Sequence, residues 1–368
     1  MEEQKNHAKS STYTDNKKFG KEAIFFVIVM ALAFYTVLKG QNLSEIWRAI
    51  RGMSGYYLVL AAALGIFFVS AEGYMIWYLL KSYGGKNRLF RCVGYSFIGF
   101  FYSGITPSAT GGQPMQLYYM SKDGNKGAVS TVVLMVVAAM YKFVLVIVGL
   151  GIWLFWKPHL KAQFGNYYWL FLLGVLLNTV LVILIIIVML FPKWMIHVSR
   201  LALVQLEKMH LVKAVDAKME KVTEFVANYR QTVTFLKASP GKLGVVFIVT
   251  VLQRCSVFFI TYLIYRGFGF HDASIQTVVF LQASIYVAVD MLPLPGAQGI
   301  TEIVFRKIFA SIIQGGYLLP MLLVSRGINF YFLFLVAMVV SMAEIVKQKK
   351  KKLAQNDKKQ EKNKLFSA

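Results

Sequence analysis

The sequence predicts an all-α polytopic membrane protein, with about six full transmembrane helices and two re-entrant segments broken by proline and glycine. Three observations carry this. The 368-residue chain is 57% hydrophobic and 15% charged, with a mean hydropathy of +0.56, whereas a soluble domain carries about 25% charged residues. Its apolar runs recur at lengths near the roughly 20 residues that cross a bilayer. Two further apolar runs stop short in GITPSATGGQPMQ at 104–116 and DMLPLPGAQGITE at 290–302. Eight hydrophobic segments result.

A polar tail, 1–19, precedes the run AIFFVIVMALAFYTVL at 23–38. That run lacks a small-residue cleavage site, so 20–39 reads as a retained span and not as a signal peptide. A short amphipathic stretch, SEIWRAIRGM at 44–53, leads to span 55–80. The loop KSYGGKNRLFR at 81–91 leads to the short run 92–105 and the first break, and spans 127–156 and 166–191 follow. Segment 192–242 is different. Leu203, Leu206, Met209 and Leu211, then Val215, Met219, Val222 and Phe225, recur at three to four residue spacing between Lys and Glu, the pattern of amphipathic helix on a membrane surface. Span 243–265, the short run 274–292 with the second break, span 317–346 and a basic tail, 347–368, complete the chain.

Charge sets the expected orientation. The net charge of +23 is clustered: five lysines lie in 1–21, four basic residues in 81–91, nine in 192–242 and nine in the C-terminal tail. Basic loops stay cytoplasmic, so both termini are expected inside the cell (plasma) membrane. Two spans separate 81–91 from 192–242, so 92–126 must begin and end inside. By the same parity 266–316 begins and ends outside. Such clusters beside spans also imply contact with anionic lipid headgroups, and no nucleic-acid partner.

A bilayer tolerates non-helical backbone only where protein or a water-filled cavity surrounds it. Short Pro/Gly-interrupted segments entering from opposite faces point to a transporter's central site. In the first break Thr106, Pro107, Ser108, Thr110, Gly111, Gly112, Gln113 and Pro114 are candidates to line it. The hydroxyls and amide would hydrogen-bond a substrate, the glycines would let the backbone approach, and a helix N-terminus after Pro114 would favour an anion. In the second, Pro293, Pro295, Gly296 and Gly299 are the counterparts. Both stretches equally suit plain loops at the membrane surface.

Charges inside spans are costly and mark function by default. Glu72, Lys142 and Arg254 lie deep in their spans, Asp290 and Glu302 flank the second break, and Arg306 follows Glu302 by one helical turn. The cations would suit a lipid phosphate, arginine best for its bidentate geometry, and the acids would suit an ammonium headgroup. Alternatively they pair with one another and only fix helix packing. Trp153, Trp156, Tyr167, Tyr168 and Trp169 read as an aromatic belt. Cys92 and Cys255, the only cysteines, read as buried thiols. The five scattered histidines show no ligand spacing, so no metal is expected, and without a Walker motif no ATP site either. No cofactor and no catalytic residue are assigned.

At TPSATGGQPMQLYYM, 106–120, and PLPGAQGITE, 293–302, the chain resembles the transmembrane region of the lysylphosphatidylglycerol synthase/flippase family. The likeness runs from about 20 to 346, which would make that stretch a flippase-like domain. Two-part members add a cytosolic aminoacyltransferase that moves lysine from lysyl-tRNA to phosphatidylglycerol, while the membrane part moves the product to the outer leaflet. Only some twenty residues follow the last span here, so the expectation is the translocating half. It would not be an enzyme on its own, though a family name might carry phosphatidylglycerol lysyltransferase, and a separate aminoacyltransferase is a candidate partner. The resemblance implies a phospholipid substrate, aminoacylated or otherwise modified, and a part in cell-surface charge and antibiotic resistance. A small-solute secondary transporter and a membrane-embedded transferase are the other readings.

Overall fold

Every regular element in the computed structural model is helical among the residues it describes: 43–106, 110–191, 193–208, 215–292, 299–313 and 315–347. The predicted span 20–39, both tails, Pro107, Ser108, Pro293, Pro295 and Gly296 lie outside the described residues. The helices are α1 (Leu43–Arg51), α2 (Gly55–Ser82), α3 (Leu89–Ile105), α4 (Gly112–Lys122), α5 (Gly127–Phe164), α6 (Tyr168–Leu190), α7 (Lys193–Lys208), α8 (Val215–Lys237), α9 (Pro240–Gly267), α10 (Ile275–Val289), α11 (Ile300–Phe309) and α12 (Leu318–Lys347). The protein is an all-α polytopic membrane protein. Long apolar helices stand where 55–80, 127–156, 166–191, 243–265 and 317–346 are predicted, and the shorter apolar α3 and α10 stand before the two breaks.

Three predicted details change. Helix α5 runs through Pro158 to Phe164, 38 residues in all or about 57 Å at 1.5 Å per residue, so it projects beyond a hydrocarbon core of about 30 Å. Segment 192–242 forms two helices, and α8 does more than lie on a surface: Val226, Tyr229, Val233 and Leu236 are buried, packed with residues of α2 to α5. Burial pushes the Tyr229 hydroxyl up to about 12. Finally, Cys255 is exposed while Cys92 is buried, and Trp156 is buried against His159 and Phe280, so the aromatic belt does not include it.

Helices α3 and α4 form an antiparallel hairpin whose contacts can be followed rung by rung. Gly111 N donates to Thr106 Oγ1 at 2.9 Å, Gly112 abuts Ser103 and Gly99, Gly99 abuts Gln116, and Asp123 meets both Tyr95 and Arg91. Its two ends are thus on one face. Arg91 also binds Glu344 near the end of α12, Tyr83 donates to the Thr232 carbonyl of α8 at 2.8 Å, and Gly127 approaches Phe225. The opposite face gathers Ser54 and Gly267 (N to O, 3.0 Å), the rings of Phe268, Phe270 and Tyr317, and Ser311 with Gln163. The segment holding α10 and α11 opens there. The two broken segments therefore enter from opposite faces, as the parity of basic loops predicts.

Apolar side chains pack in two main cores. One joins α2 to α5, α8 and the start of α9; the other joins α1, the first half of α2, α5, α6 and α9 to α12. On α5 and α9 these cores divide between Val137 and Val144 and between Val246 and Val257. On α2 a smaller third cluster, shared with α3 and α12, ends at Val69 before the first core begins at Met75. Glu72, Lys142 and Arg254 fall in those three gaps.

Candidate functional site

Polar groups from seven helices meet in the layer between the cores. Arg254 of α9 is 6% exposed. Its guanidinium lies 3.8 Å from the centre of the Tyr141 ring and 4.6 Å from that of Phe68. It makes no hydrogen bond or ion pair with any described residue, and its Nε is buried without a partner. Its neighbour Gln253 holds the turn by donating to the Phe68 carbonyl at 2.8 Å. A sandwiched guanidinium keeps cation–π attraction, yet its Nε meets no acceptor among the described residues.

Glu72 of α2 accepts a 2.6 Å hydrogen bond from Gln116 Nε2 of α4 and interacts with the Arg254 charge without touching it. Gln116 is fixed from behind, because a Cβ on Gly99 would stand 2.3 Å from its Nε2.

Asp290, which follows α10, is bound twice by α5. The Tyr141 hydroxyl and the Lys142 ammonium both donate to it, and Lys142 also reaches Met291 Sδ at 3.3 Å. Tyr141 thus carries Arg254 on its ring and Asp290 on its hydroxyl. Tyr286, one turn before Asp290, stands within reach of the Arg254 and Arg326 charges.

The second ion pair joins Glu302, in the first turn of α11, to Arg326 Nε of α12 at 2.7 Å. Glu302 Oε2 is buried with no partner among the described residues. Arg326 immediately precedes a π-helical turn, Gly327–Phe332, a distortion often found at functional sites. Gly299 introduces α11 with φ +83°, a conformation that favours glycine. Arg306 is exposed and not the partner of Glu302.

The first break is organised differently from the expectation. Thr106 uses its hydroxyl on the chain itself, donating to the Tyr102 carbonyl at 2.7 Å and accepting from Gly111 N. Gly111 and Gly112 let α4 close on α3: a Cβ on Gly112 would stand 2.1 Å from Ser103 Oγ and 2.6 Å from the Gly99 carbonyl. Helix α4 starts at Gly112, before Pro114. Thr110, Gln113 and Pro114 are exposed, and the amide turned inward is Gln116.

Of the predicted residues, then, Glu72, Lys142, Arg254, Asp290 and Glu302 belong to the charged layer, and Thr106, Gly111 and Gly112 to the turn that closes the first hairpin. Sequence reasoning missed Gln116, Tyr141 and Arg326. Arg326 had a signal: it is a charge inside the apolar run 317–346, the criterion that singled out Arg254. Tyr141 had none, since an intramembrane tyrosine looks the same whether it packs or bridges.

A family model described as the lysylphosphatidylglycerol synthase TM region matches residues 23–337. No curated protein matches the chain.

Proposed function

Because the chain belongs to the family of the lysylphosphatidylglycerol synthase transmembrane region, membrane proteins of lysylphosphatidylglycerol metabolism or translocation, we propose that it moves a phospholipid between leaflets, held by its phosphate. The substrate is an aminoacylated or otherwise modified phospholipid such as lysyl-phosphatidylglycerol. One observation carries the reading: Arg254, buried near the middle of a span, has no acceptor among the described residues. An unpaired charge at that depth costs at least about 2.5–3.5 kcal/mol on insertion scales. A phosphate supplies two oxygens in the plane of the guanidinium and offsets that cost.

Lys142 takes a different part from the one its sequence position suggests. Its charge is met by Asp290, so a lysyl ammonium on the substrate would take its place on that carboxylate. The face carrying 83–91, 123–127 and α8 is the cytoplasmic one, because the basic loops lie there. The two hairpins, entering from opposite faces, form the scaffold past which the headgroup moves.

The test is leaflet exchange. The full chain is reconstituted into vesicles with lysyl-phosphatidylglycerol in both leaflets, and a membrane-impermeant amine reagent titrates the outer pool. The inner pool should become reactive with the wild-type protein, and much more slowly in protein-free vesicles or with Arg254→Gln. Equal rates in all three would reject a translocase.

A further inference from the structure

We infer that anion binding at Arg254 is linked to protonation of Glu72, so that the site takes up one proton with each anion. This rests on the reading that Arg254 receives the lipid phosphate, and it adds the ion to which that binding is coupled.

The geometry sets these two residues apart from the rest of the layer. Asp290 is bonded to Lys142 and Glu302 to Arg326. Among the described residues Glu72 has no cation bonded to it and one hydrogen bond, from neutral Gln116, and Arg254 has no carboxylate bonded to it. The two interact through space, so each is the other's remaining counter-charge, held without contact. Gln116, packed against Gly99, stands on the Glu72 carboxylate.

No other charge facing Glu72 takes up the difference. Besides Arg254, α9 places Gln253 on the Phe68 carbonyl. From α5, Tyr141 is committed through its hydroxyl to Asp290. Near Glu72, α3 presents Val93 and Ser96 at Gly73, and α12 presents Leu333 at Gly65. A phosphodiester seated on Arg254 therefore stands beside the Glu72 carboxylate with one guanidinium between two anions. The excess negative charge sits in low-dielectric surroundings, and a proton on the Glu72 oxygen left unbonded by Gln116 removes it. By linkage the anion must favour the proton as strongly as the proton favours the anion.

The experiment measures binding of short-chain phosphatidylglycerol to the purified full chain in a zwitterionic detergent, from about pH 8 down to about pH 5. A phosphodiester lacks the ionisation near pH 6 of a phosphomonoester, so the ligand's own charge is constant. Affinity should tighten with falling pH by up to about tenfold per unit, the limit for one linked proton. A pH-sensitive dye in weak buffer should record proton uptake on adding the lipid; this needs no variant, and no uptake by the wild type would overturn the inference. Glu72→Gln should bind tightly at every pH, without slope and without uptake. A pH slope that survives in Glu72→Gln would overturn it as well. Glycerophosphoglycerol, the same headgroup without chains, separates a lipid from a free solute as the source of the phosphodiester, and the inference requires the same pH slope of whichever binds. Arg254→Gln isolates the underlying reading: full affinity in that variant rejects the phosphate site itself.

Discussion

The two hairpins enter from opposite faces and carry their ion pairs at opposite ends. In the α3–α4 hairpin the charges are at the mouth, where Arg91 binds Asp123 and grips Glu344 with two nitrogens. Its turn is closed by a threonine hydroxyl and two glycines. In the α10–α11 hairpin no ion pair among the described residues closes the mouth; Ser311 meets Gln163 and aromatic rings gather around Tyr317. The charges, Asp290 and Glu302, flank its turn in the protein interior, each bound to a cation from a neighbouring span. Charges at the water interface are cheap and serve as anchors, whereas charges at membrane depth are expensive. The inverted arrangement is thus a property of the backbone, and the chemistry is concentrated in one arm of it.

Breaking the ion pairs should give the largest effects and should separate the two hairpins. Lys142 and Asp290 have side chains 13% and 9% exposed, and Arg326 and Glu302 14% and 7%. Lys142→Gln removes the cation from Asp290, which keeps the Tyr141 hydroxyl, and Glu302→Gln removes a carboxylate from Arg326; each should cost about 3–5 kcal/mol, the penalty for one partner of a buried pair. At the mouth Arg91 is 23% exposed, and Glu344→Gln should cost about 1 kcal/mol, less in high salt. Melting temperatures of the purified full chain report all three. Equal losses at turn and mouth would erase the contrast.

The contrast also explains what the sequence could disclose. Apolar run length located the five long helices and the two short ones, because a bilayer imposes a length on any helix that crosses it. Counting basic loops placed the broken segments on opposite faces before any contact was visible. The charged layer was legible in part, since Glu72, Lys142, Arg254, Asp290 and Glu302 are conspicuous in apolar surroundings. Their partners were not. Which cation meets Glu302 depends on the approach of α12 to α11, and local spacing favoured Arg306 over Arg326, 24 residues away. The glycines of the first break were legible as breakers, but their close approach to α3 belongs to tertiary packing, which one strand of sequence does not record.

Those glycines give the intermediate effect. A Cβ on Gly112 would stand 2.1 Å from the Ser103 hydroxyl, which can rotate, and 2.6 Å from the Gly99 carbonyl, which cannot. Beside the second hairpin Gly174 of α6 meets backbone alone, 2.1 Å from the Val287 carbonyl and 2.8 Å from Ala288 Cα. Overpacking of this kind costs about 1–3 kcal/mol. Gly174→Ala should therefore lose at least as much stability as Gly112→Ala. Gly151, with nothing within 4 Å of its virtual Cβ, is the control: Gly151→Ala should be neutral or gain up to about 1 kcal/mol from helix propensity. A Gly112→Ala protein as stable as Gly151→Ala would show that the hairpin does not depend on this close approach.

The smallest effect on stability is expected at the residue proposed to matter most for transport. Arg254→Gln removes a guanidinium that no described residue accepts from, so no hydrogen-bonded partner is orphaned. What is lost is attraction to the Tyr141 and Phe68 rings, about 1–2 kcal/mol for a desolvated cation. What is gained is relief of the cost of holding an unpaired charge at depth, of similar or larger size. The gain matches or exceeds the loss, so the melting temperature should hold or rise slightly and should not fall. Lys142→Gln, one span away and equally deep, should instead lose stability, because its charge has a bonded partner. If Arg254 instead stabilises the fold through Glu72, the single variant will lose about 3–5 kcal/mol and Arg254→Gln/Glu72→Gln will recover most of it. A double-mutant cycle over these two residues measures that coupling directly. A small coupling, beside an abolished affinity for phosphatidylglycerol, assigns Arg254 to the substrate; a large one assigns it to the scaffold.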